Sequence, residues 1–148
     1  MKSEVTIGDN RLTMTRVFDA PRHLVFAYWT QADKVQLWWG CKNTTKVECE
    51  MDFRVGGSFT HKMQLTGAGE FSYSGKYDEI IEPARIAYHA EMGGTTTRVT
   101  VEFIEQGEQT KMVLTQEGFP TQEICKMVSQ GTQEAFDKLD RMLMRQAA

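Results

Sequence analysis

The chain has 148 residues, of which 41% are hydrophobic and 25% are charged, and its formal net charge is −3 at pH 7. This composition is typical of one globular domain, which at this length can form a core without disulfide bonds. The 17 basic residues are scattered among 20 acidic ones and no apolar run is long enough to span a bilayer, so neither nucleic-acid binding nor membrane insertion is expected.

The N-terminus and the cysteines indicate where the protein works. Residues 1–10 carry no apolar signal core, so we expect them to be a loose lead-in to a single domain over residues 1–148. Cys41, Cys49 and Cys125 are odd in number and form no CxxC motif, which argues against a disulfide framework and a structural zinc site. Free thiols in a reducing cytosol are predicted, and with them an unexported, cytoplasmic protein.

The first elements predicted are a strand and two short helices. From Arg11 to Phe18 apolar residues alternate with threonines, although Arg16 interrupts the apolar face. Pro21 suits the first turn of a helix, because its missing N–H would be unpaired there in any case. After a break, ADKVQLWW predicts a second short helix that ends at Gly40.

The middle of the chain predicts about six antiparallel strands, because apolar and polar residues alternate along it. SFTHKM, for example, places Phe59, His61 and Met63 on one face. Gly75 interrupts another strand, which indicates a bulge or the close approach of a second element. The predicted strands are KVECEMDF, SFTHKM, FSYSGKYDEI, RIAYHA, TRVTVEF and TKMVLTQE.

A long C-terminal helix is the last predicted element. Thr121 is a suitable N-cap, and apolar residues from Ile124 to Leu143 recur every three or four positions. Gly131 lies inside this stripe and costs roughly 1 kcal/mol relative to Ala, so we expect either a close strand or room for a cavity there. Strands grouped apart from helices predict an α+β fold, in which an apolar cavity can lie between sheet and helix.

Five segments, in this order along the chain, resemble one known family. RVFDAPRHLVFAYWTQADKVQLWWG, FRVGGSF, YSGKYDEIIEPARI, LTQEGFP and FDKLDRML are similar to homologues of the activator of the ninety-kilodalton heat-shock-protein ATPase, within the START-like, or SRPBCC, superfamily. The resemblance covers the chain from about Arg16 to Leu143. It implies a helix-grip fold, in which a curved antiparallel sheet wraps around the C-terminal helix with a cavity between them.

The resemblance also implies a range of functions. The best-known relatives are domains of a co-chaperone that stimulates the chaperone's ATPase, and wider members bind lipids, hormones or polyketides or act as cyclases or hydrolases.

This chain departs from the family pattern at three places. Thr132 follows the helix glycine where relatives often carry Trp, Cys41 follows WWG where many carry Pro, and Glu82 replaces the first of two paired prolines. The first departure bears on the cavity, and the other two fall in loops.

Two neighbouring tryptophans and one histidine are the most informative side chains. Trp38 and Trp39 would point about 100° apart on a helix, so one can face the core while the other lies at a rim. Packing against the sheet is the first interpretation, and ligand contact at a cavity mouth is the alternative. His61 lies between Phe59 and Met63 on the predicted inner face, where it is either a satisfied core residue or a group that orients a ligand or acts as a base.

The other polar residues form no catalytic pattern. His23 is expected to be exposed, and His89 has no clear placement. Glu70, Glu79 and Arg98 are expected on the solvent face of strands, with polar groups of the pocket as the alternative. The histidines are too widely separated for a metal site. The sequence contains no GxSxG, P-loop or GxGxxG motif, so no catalytic residue and no cofactor is predicted.

Three hypotheses for function remain open. The first is a binding module that holds a small apolar or amphipathic molecule between the sheet and the C-terminal helix. The second is a co-chaperone-like partner of the heat-shock chaperone, with a role in the stress response, and the third is a cofactor-independent cyclase or hydrolase. The candidate cavity residues are Trp38, Trp39, Phe59, His61, Met63, Phe71, Tyr73, Val128, Gly131 and Ala135.

Overall fold

A computed structural model describes residues 3–92 and 94–147. Within these ranges the chain forms eight strands and three helices. The strands are β1 (Glu4–Ile7), β2 (Arg11–Phe18), β3 (Thr44–Met51), β4 (Ser58–Leu65), β5 (Gly69–Ile81), β6 (Arg85–Met92), β7 (Thr95–Gln106) and β8 (Gln109–Glu117). The helices are α1 (Arg22–Thr30), α2 (Ala32–Val35) and α3 (Gln122–Ala147).

All eight strands form one antiparallel sheet in the order β1-β2-β8-β7-β6-β5-β4-β3. Strands β3 to β8 pair with their neighbours along the chain, whereas β2 crosses over to pair with β8. The sheet is curved, and its inner face shares one hydrophobic core with α1, the turn after α2, and α3. The predicted α+β fold with a curved antiparallel sheet and one long C-terminal helix is confirmed.

The prediction that residues 1–10 form a loose lead-in is wrong for β1. This four-residue strand pairs along the edge of β2, with Val5 and Ile7 packed against the core. Glu4 and Thr6 alternate with them and are exposed. The alternation is too short to stand out in the sequence, and it becomes a strand because β2 offers a free edge to pair with.

Arg16 explains why the apolar face of β2 is interrupted. Its side chain is 3% exposed and points towards α3, where its Nη1 lies 2.9 Å from Asp137 Oδ1. This nitrogen has no hydrogen-bond partner among the described residues, so the attraction there is electrostatic. Its Nε donates a hydrogen bond to Ser3 Oγ at 2.8 Å, and its guanidinium lies 5.9 Å from the centre of the Phe136 ring. Arg16 thus anchors α3 to the sheet.

Helix α3 begins at its predicted cap. The N–H of Ile124 donates a hydrogen bond to Thr121 Oγ1 at 3.2 Å, which satisfies one of the unpaired donors of the first turn. The predicted apolar stripe then faces the sheet and α1. Its buried members are Ala135, Leu139 and Leu143, and its partly buried members are Ile124, Val128 and Met142. The prediction is wrong for Met127, which is 69% exposed, and the buried Cys125 and Phe136 of α3 lie outside the predicted stripe.

Gly75 lies at the predicted close approach. A Cβ atom at this position of β5 would collide with the backbone carbonyl of His89 on β6. The register between β5 and β6 also shifts, between Tyr77 and Glu79, so an irregularity follows Gly75 in the same strand. The close approach, and not the register shift, therefore accounts for the glycine at position 75.

Candidate functional site

A small cavity of about 10 Å³ lies inside the fold, and it has room for roughly one water molecule. We call it the aromatic pocket, because five of its eight lining side chains are Trp, Phe or Tyr. The lining residues are Trp29, Val35, Trp39, Phe59, His61, Tyr77, Ile86 and Tyr88. They come from α1, from α2 and the turn after it, and from the inner faces of β4, β5 and β6.

The two neighbouring tryptophans have different environments. Trp38 is 1% exposed, and its Nε1 donates a hydrogen bond to the carbonyl oxygen of Tyr28 at 2.8 Å. Trp39 is only partly buried and lines the aromatic pocket. Gly40 follows with a φ of 86°, which ends the helical turn in a left-handed conformation that suits glycine. Trp38 is therefore a core anchor, and Trp39 lies at the rim.

His61 is the buried polar group of the aromatic pocket. It is 4% exposed, and its Nδ1 has no hydrogen-bond partner among the described residues. Its ring centre lies 4.6 Å from that of Trp39 and 4.9 Å from that of Phe59. Burial lowers the pKa of His61 from 6.5 to about 4. A weaker interaction of the ring with the Thr60 backbone acts in the opposite direction and raises this pKa. At neutral pH the ring is therefore uncharged.

The tyrosines around His61 are uncharged as well. Burial raises the pKa of Tyr88, and the adjacent Tyr73 raises it further. Burial also raises the pKa of Tyr73, although its side-chain hydrogen bond with Tyr88 acts in the opposite direction. The pKa of Tyr77 is raised mainly by burial and secondarily by Cys49. The pocket thus combines apolar walls with neutral hydrogen-bonding groups.

The structure brings some of the predicted cavity residues together and separates others. Trp39, Phe59 and His61 line the aromatic pocket. Tyr73 lies directly behind it, with its ring centre 5.4 Å from that of Trp39. The remaining candidates do not line it; they are Trp38, Met63, Phe71, Val128, Gly131 and Ala135.

The aromatic pocket lies against α1 and the turn after α2, which differs from the expected position between the sheet and the C-terminal helix. The physical reason is that aromatic rings occupy the intervening space. Trp29 and Trp38 each lie with their ring centres 6.3 Å from that of Phe136 on α3. The indoles of α1 and of the following turn thus separate the pocket from α3.

Sequence reasoning missed five of the lining residues, Trp29, Val35, Tyr77, Ile86 and Tyr88. Tyr77 and Tyr88 lie in alternating strand patterns, and Trp29 follows the helical spacing of α1, so each could be predicted as buried. Their convergence on one point depends on how the sheet curves and where α1 crosses it. The sequence pattern alone does not specify either.

The segment after Trp39 is tied to α3. Lys138 Nζ donates hydrogen bonds to the carbonyl oxygens of Trp39 and Cys41, at 3.1 and 3.2 Å. The N–H of Lys42 donates to Glu134 Oε1 at 3.2 Å. Burial lowers the pKa of Lys138, while the nearby Cys41 acts in the opposite direction.

Gly131 faces this tied segment rather than a strand or a cavity. A Cβ atom added there would lie 3.7 Å from the Cβ of Cys41, which is an ordinary contact distance. Neither predicted reason for the glycine, a close strand or space for a cavity, therefore applies. The adjacent Thr132 donates its hydroxyl to the Val128 carbonyl oxygen at 2.8 Å.

The other polar candidates lie outside the aromatic pocket. His23 and Arg98 are exposed, as expected, and Glu70 pairs with Gln64 on the surface. Glu79 forms an ion pair with Arg85, and the Nδ1 of His89 lies 2.9 Å from Asp78 Oδ1; the residues involved in these two pairs are partly exposed. Within residues 3–92 and 94–147, no three His, Cys, Asp or Glu side chains are grouped so that they could hold a metal ion.

Solved structures with the same fold come from several bacteria. A protein from Chromobacterium violaceum is 21% identical over 90% of this chain and 97% of its own, with a TM-score of 0.79. One from Rhodobacter sphaeroides is 20% identical over 96% and 99%, with a TM-score of 0.80. One from Arthrobacter aurescens is 19% identical over 96% and 91%, with a TM-score of 0.82. At such identities these similarities establish the helix-grip-like fold alone.

The comparisons with curated proteins and with family models give different results. A comparison with curated proteins gave no match. In the part of the chain that the structure describes, no helix combines the length and the apolar character needed to cross a membrane. The family model described as Activator of Hsp90 ATPase homolog 1-like protein matches residues 19–144, which is most of the chain. The chain therefore belongs to the family of proteins like homologue 1 of the activator of Hsp90 ATPase.

Proposed function

We propose that this domain binds a small apolar or amphipathic molecule in the aromatic pocket, with Trp39 as a movable wall. The observation that carries the proposal is His61, a buried side chain whose Nδ1 lacks a partner among the described residues and which lines a cavity. A buried polar atom without a partner costs about 1–3 kcal/mol. A bound molecule that hydrogen-bonds to it would remove that cost.

The lining of the pocket supports the same proposal. Ligand pockets in proteins are mostly apolar and aromatic, with a few polar groups that orient the ligand. Here Trp39, Phe59 and Tyr88 supply rings, and His61 supplies the polar group. Aromatic rings favour offset or edge contacts with a second ring, so they suit a ligand with a flat apolar part.

The present free volume requires that a wall moves when a ligand enters. A cavity of about 10 Å³ holds roughly one water, whereas an engineered cavity that takes up benzene measures about 150 Å³. Trp39 is the lining residue best placed to move, because it is only partly buried and lies beyond the end of α2. Its displacement would open the pocket without breaking a strand of the sheet.

Native mass spectrometry of gently purified protein, compared with the denatured mass, tests the proposal. We expect an additional small mass that leaves on denaturation and is lost in a Trp39→Ala variant, whose pocket would retain ligand poorly. A bare mass for the wild-type chain, together with no binding of added small aromatic compounds, would contradict the proposal. Met63→Leu is a matched control, because Met63 is buried on the same strand as His61 but does not line the pocket.

Membership of the family favours a second candidate function, contact with the Hsp90 chaperone. The family description names an activator of the Hsp90 ATPase, and we propose that this chain contacts the same chaperone. The test is the ATPase rate of purified chaperone with and without this domain at stoichiometric amounts. A rate increase that survives Trp39→Ala would separate chaperone contact from ligand binding.

The third candidate, a cofactor-independent enzyme, draws little support from His61. A general base works best when its pKa lies near the working pH. Burial holds the pKa of His61 at about 4, so the ring is a weak base at neutral pH. The group suits hydrogen bonding to a ligand better than proton abstraction from one.

A further inference from the structure

We infer that the pocket selects an uncharged hydroxyl compound with an apolar ring, and that the Nδ1 of His61 is the hydrogen-bonding partner of its hydroxyl. The inference rests on the proposed ligand-binding function and specifies the ligand class of that same site. It is carried by three features of the pocket: the orphan nitrogen, the absence of charge in the lining, and the arrangement of rings around the nitrogen.

The orphan nitrogen sets the polar requirement. Three other hydrogen-bonding side chains near the pocket have partners: Tyr73 and Tyr88 share a side-chain hydrogen bond, and the Trp29 indole donates to Met112 Sδ at 3.2 Å. His61 Nδ1 has none among the described residues. A neutral imidazole carries one donor and one acceptor nitrogen. A hydroxyl can serve either tautomer, because it both donates and accepts.

The lining sets the charge requirement. None of the eight residues that line the pocket is Asp, Glu, Lys or Arg. A charged ligand would lose its hydration on entry without gaining a charged partner, and an unpaired buried charge is strongly disfavoured. His61 offers no compensating positive charge at neutral pH, since its ring is uncharged there. The pocket should therefore reject carboxylates.

The rings set the shape requirement. Trp39 meets His61 edge to face, and the Phe59 ring lies tilted against that of His61 with an interplanar angle of 31°. A hydroxyl that reaches Nδ1 must therefore be attached to a body that fits between aromatic faces. An apolar ring that takes the place of the displaced Trp39 indole satisfies this condition.

The experiment compares phenol, toluene and benzoate as probes, with binding followed by NMR titration of isotope-labelled protein. Toluene is more hydrophobic than phenol, so the informative quantity is the ratio of their affinities in each variant. We expect His61→Leu to shift that ratio in favour of toluene by about fivefold, which is the contribution of one net hydrogen bond. Met63→Leu should leave the ratio unchanged, and benzoate should not bind to any of the variants.

The outcomes separate this inference from the function on which it rests. If phenol and toluene bind but their ratio is the same in His61→Leu, the pocket is real and His61 is not the anchor. Benzoate binding as tightly as phenol would overturn the charge argument. If no probe binds to the wild-type chain, the pocket itself does not bind ligands and both proposals fall.

A measurement on the wild-type chain keeps the inference testable if His61→Leu does not fold. The ring nitrogens of His61 give separate nitrogen-15 signals. We expect phenol, and not toluene, to shift the Nδ1 signal at saturation. Equal shifts with both probes would contradict a hydrogen bond to the hydroxyl.

Discussion

Trp39 and His61 meet edge to face, with their ring centres 4.6 Å apart, between the turn after α2 and strand β4. Trp39 is partly buried, whereas His61 is almost completely buried. The contact therefore lies between solvent and the interior of the aromatic pocket. In the proposed function Trp39 is the wall that moves, and His61 is the polar group that it covers.

Trp38 and Trp39 should differ in their effect on stability. Trp38→Ala removes a fully buried indole and its hydrogen bond to the Tyr28 carbonyl, so we expect a loss of about 3–5 kcal/mol in the free energy of unfolding. Trp39→Ala removes a partly buried ring and should cost clearly less. Urea unfolding of the two variants measures both values, and equal losses would contradict the assignment of Trp38 as anchor and Trp39 as rim.

His61 should make the protein less stable as the pH falls. Its pKa is about 4 in the folded chain and 6.5 is its ordinary value, so between these values the unfolded chain binds more protons. Stability that is fully present above pH 6.5 is lost as the pH falls towards 4. The shift corresponds to about 3 kcal/mol. Urea unfolding at a series of pH values measures this loss.

The matched control for this pH dependence is His61→Leu. Other ionisable groups also change the stability below pH 7, so the wild-type curve alone does not isolate His61. The difference between the two curves does, because those other groups are present in both proteins. A difference that stays constant from pH 7 to pH 4 would show that the His61 pKa is not depressed.

The sequence predicts most of the fold because its strands carry clear alternation and α3 carries a clear stripe. It misses β1 because four residues alternate too briefly to be distinguished from a loop. It also leaves Arg16 unexplained, since the partner that allows a cation on an inner face is Asp137, more than a hundred residues away. Long-range pairing of this kind has no local signal.

The candidate site is predictable only in part, for a related reason. The strand pattern of β4 places Phe59 and His61 on the inner face, and the structure confirms that placement. The position of the pocket depends on Trp29 and Trp38 filling the space beside Phe136 of α3. This packing follows from how three separate elements meet, and no single segment encodes it.

Gly131 in α3 and Gly75 in β5 should respond in opposite ways to substitution by alanine. Gly131→Ala adds a methyl group at an ordinary contact distance from Cys41, so we expect a gain of up to about 1 kcal/mol in stability from better helix propensity. Gly75→Ala forces a collision with the His89 carbonyl and should destabilise the sheet. Thermal unfolding compares the two, and a loss at Gly131 would show that the segment around Cys41 is packed more tightly than described.

Asp137→Asn should destabilise the protein although Asp137 is 54% exposed, because its partner Arg16 is 3% exposed. The substitution leaves a buried guanidinium without its counter-charge, at a cost of about 1.5–3 kcal/mol. Arg16→Met removes the buried charge together with the need for a partner, so it should cost less. If chemical denaturation finds Arg16→Met the more damaging change, packing of Arg16 on Phe136 matters more than the charge pair.

Lys138→Met should loosen the wall of the aromatic pocket without changing any residue that lines it. Lys138 donates to the carbonyl oxygens of Trp39 and Cys41, so the substitution removes two hydrogen bonds that hold this segment to α3. A hydrogen bond from a charged donor contributes roughly 1.5 kcal/mol, so the loss of both corresponds to about a hundredfold more frequent local opening. Hydrogen exchange of the amides in residues 39–44 should accelerate by that factor, and phenol should enter the pocket faster.

Lys126→Met is the matched control, because Lys126 is an exposed lysine on the same helix. Exchange that accelerates equally in both variants would indicate general destabilisation of α3 instead of release of the Trp39 segment.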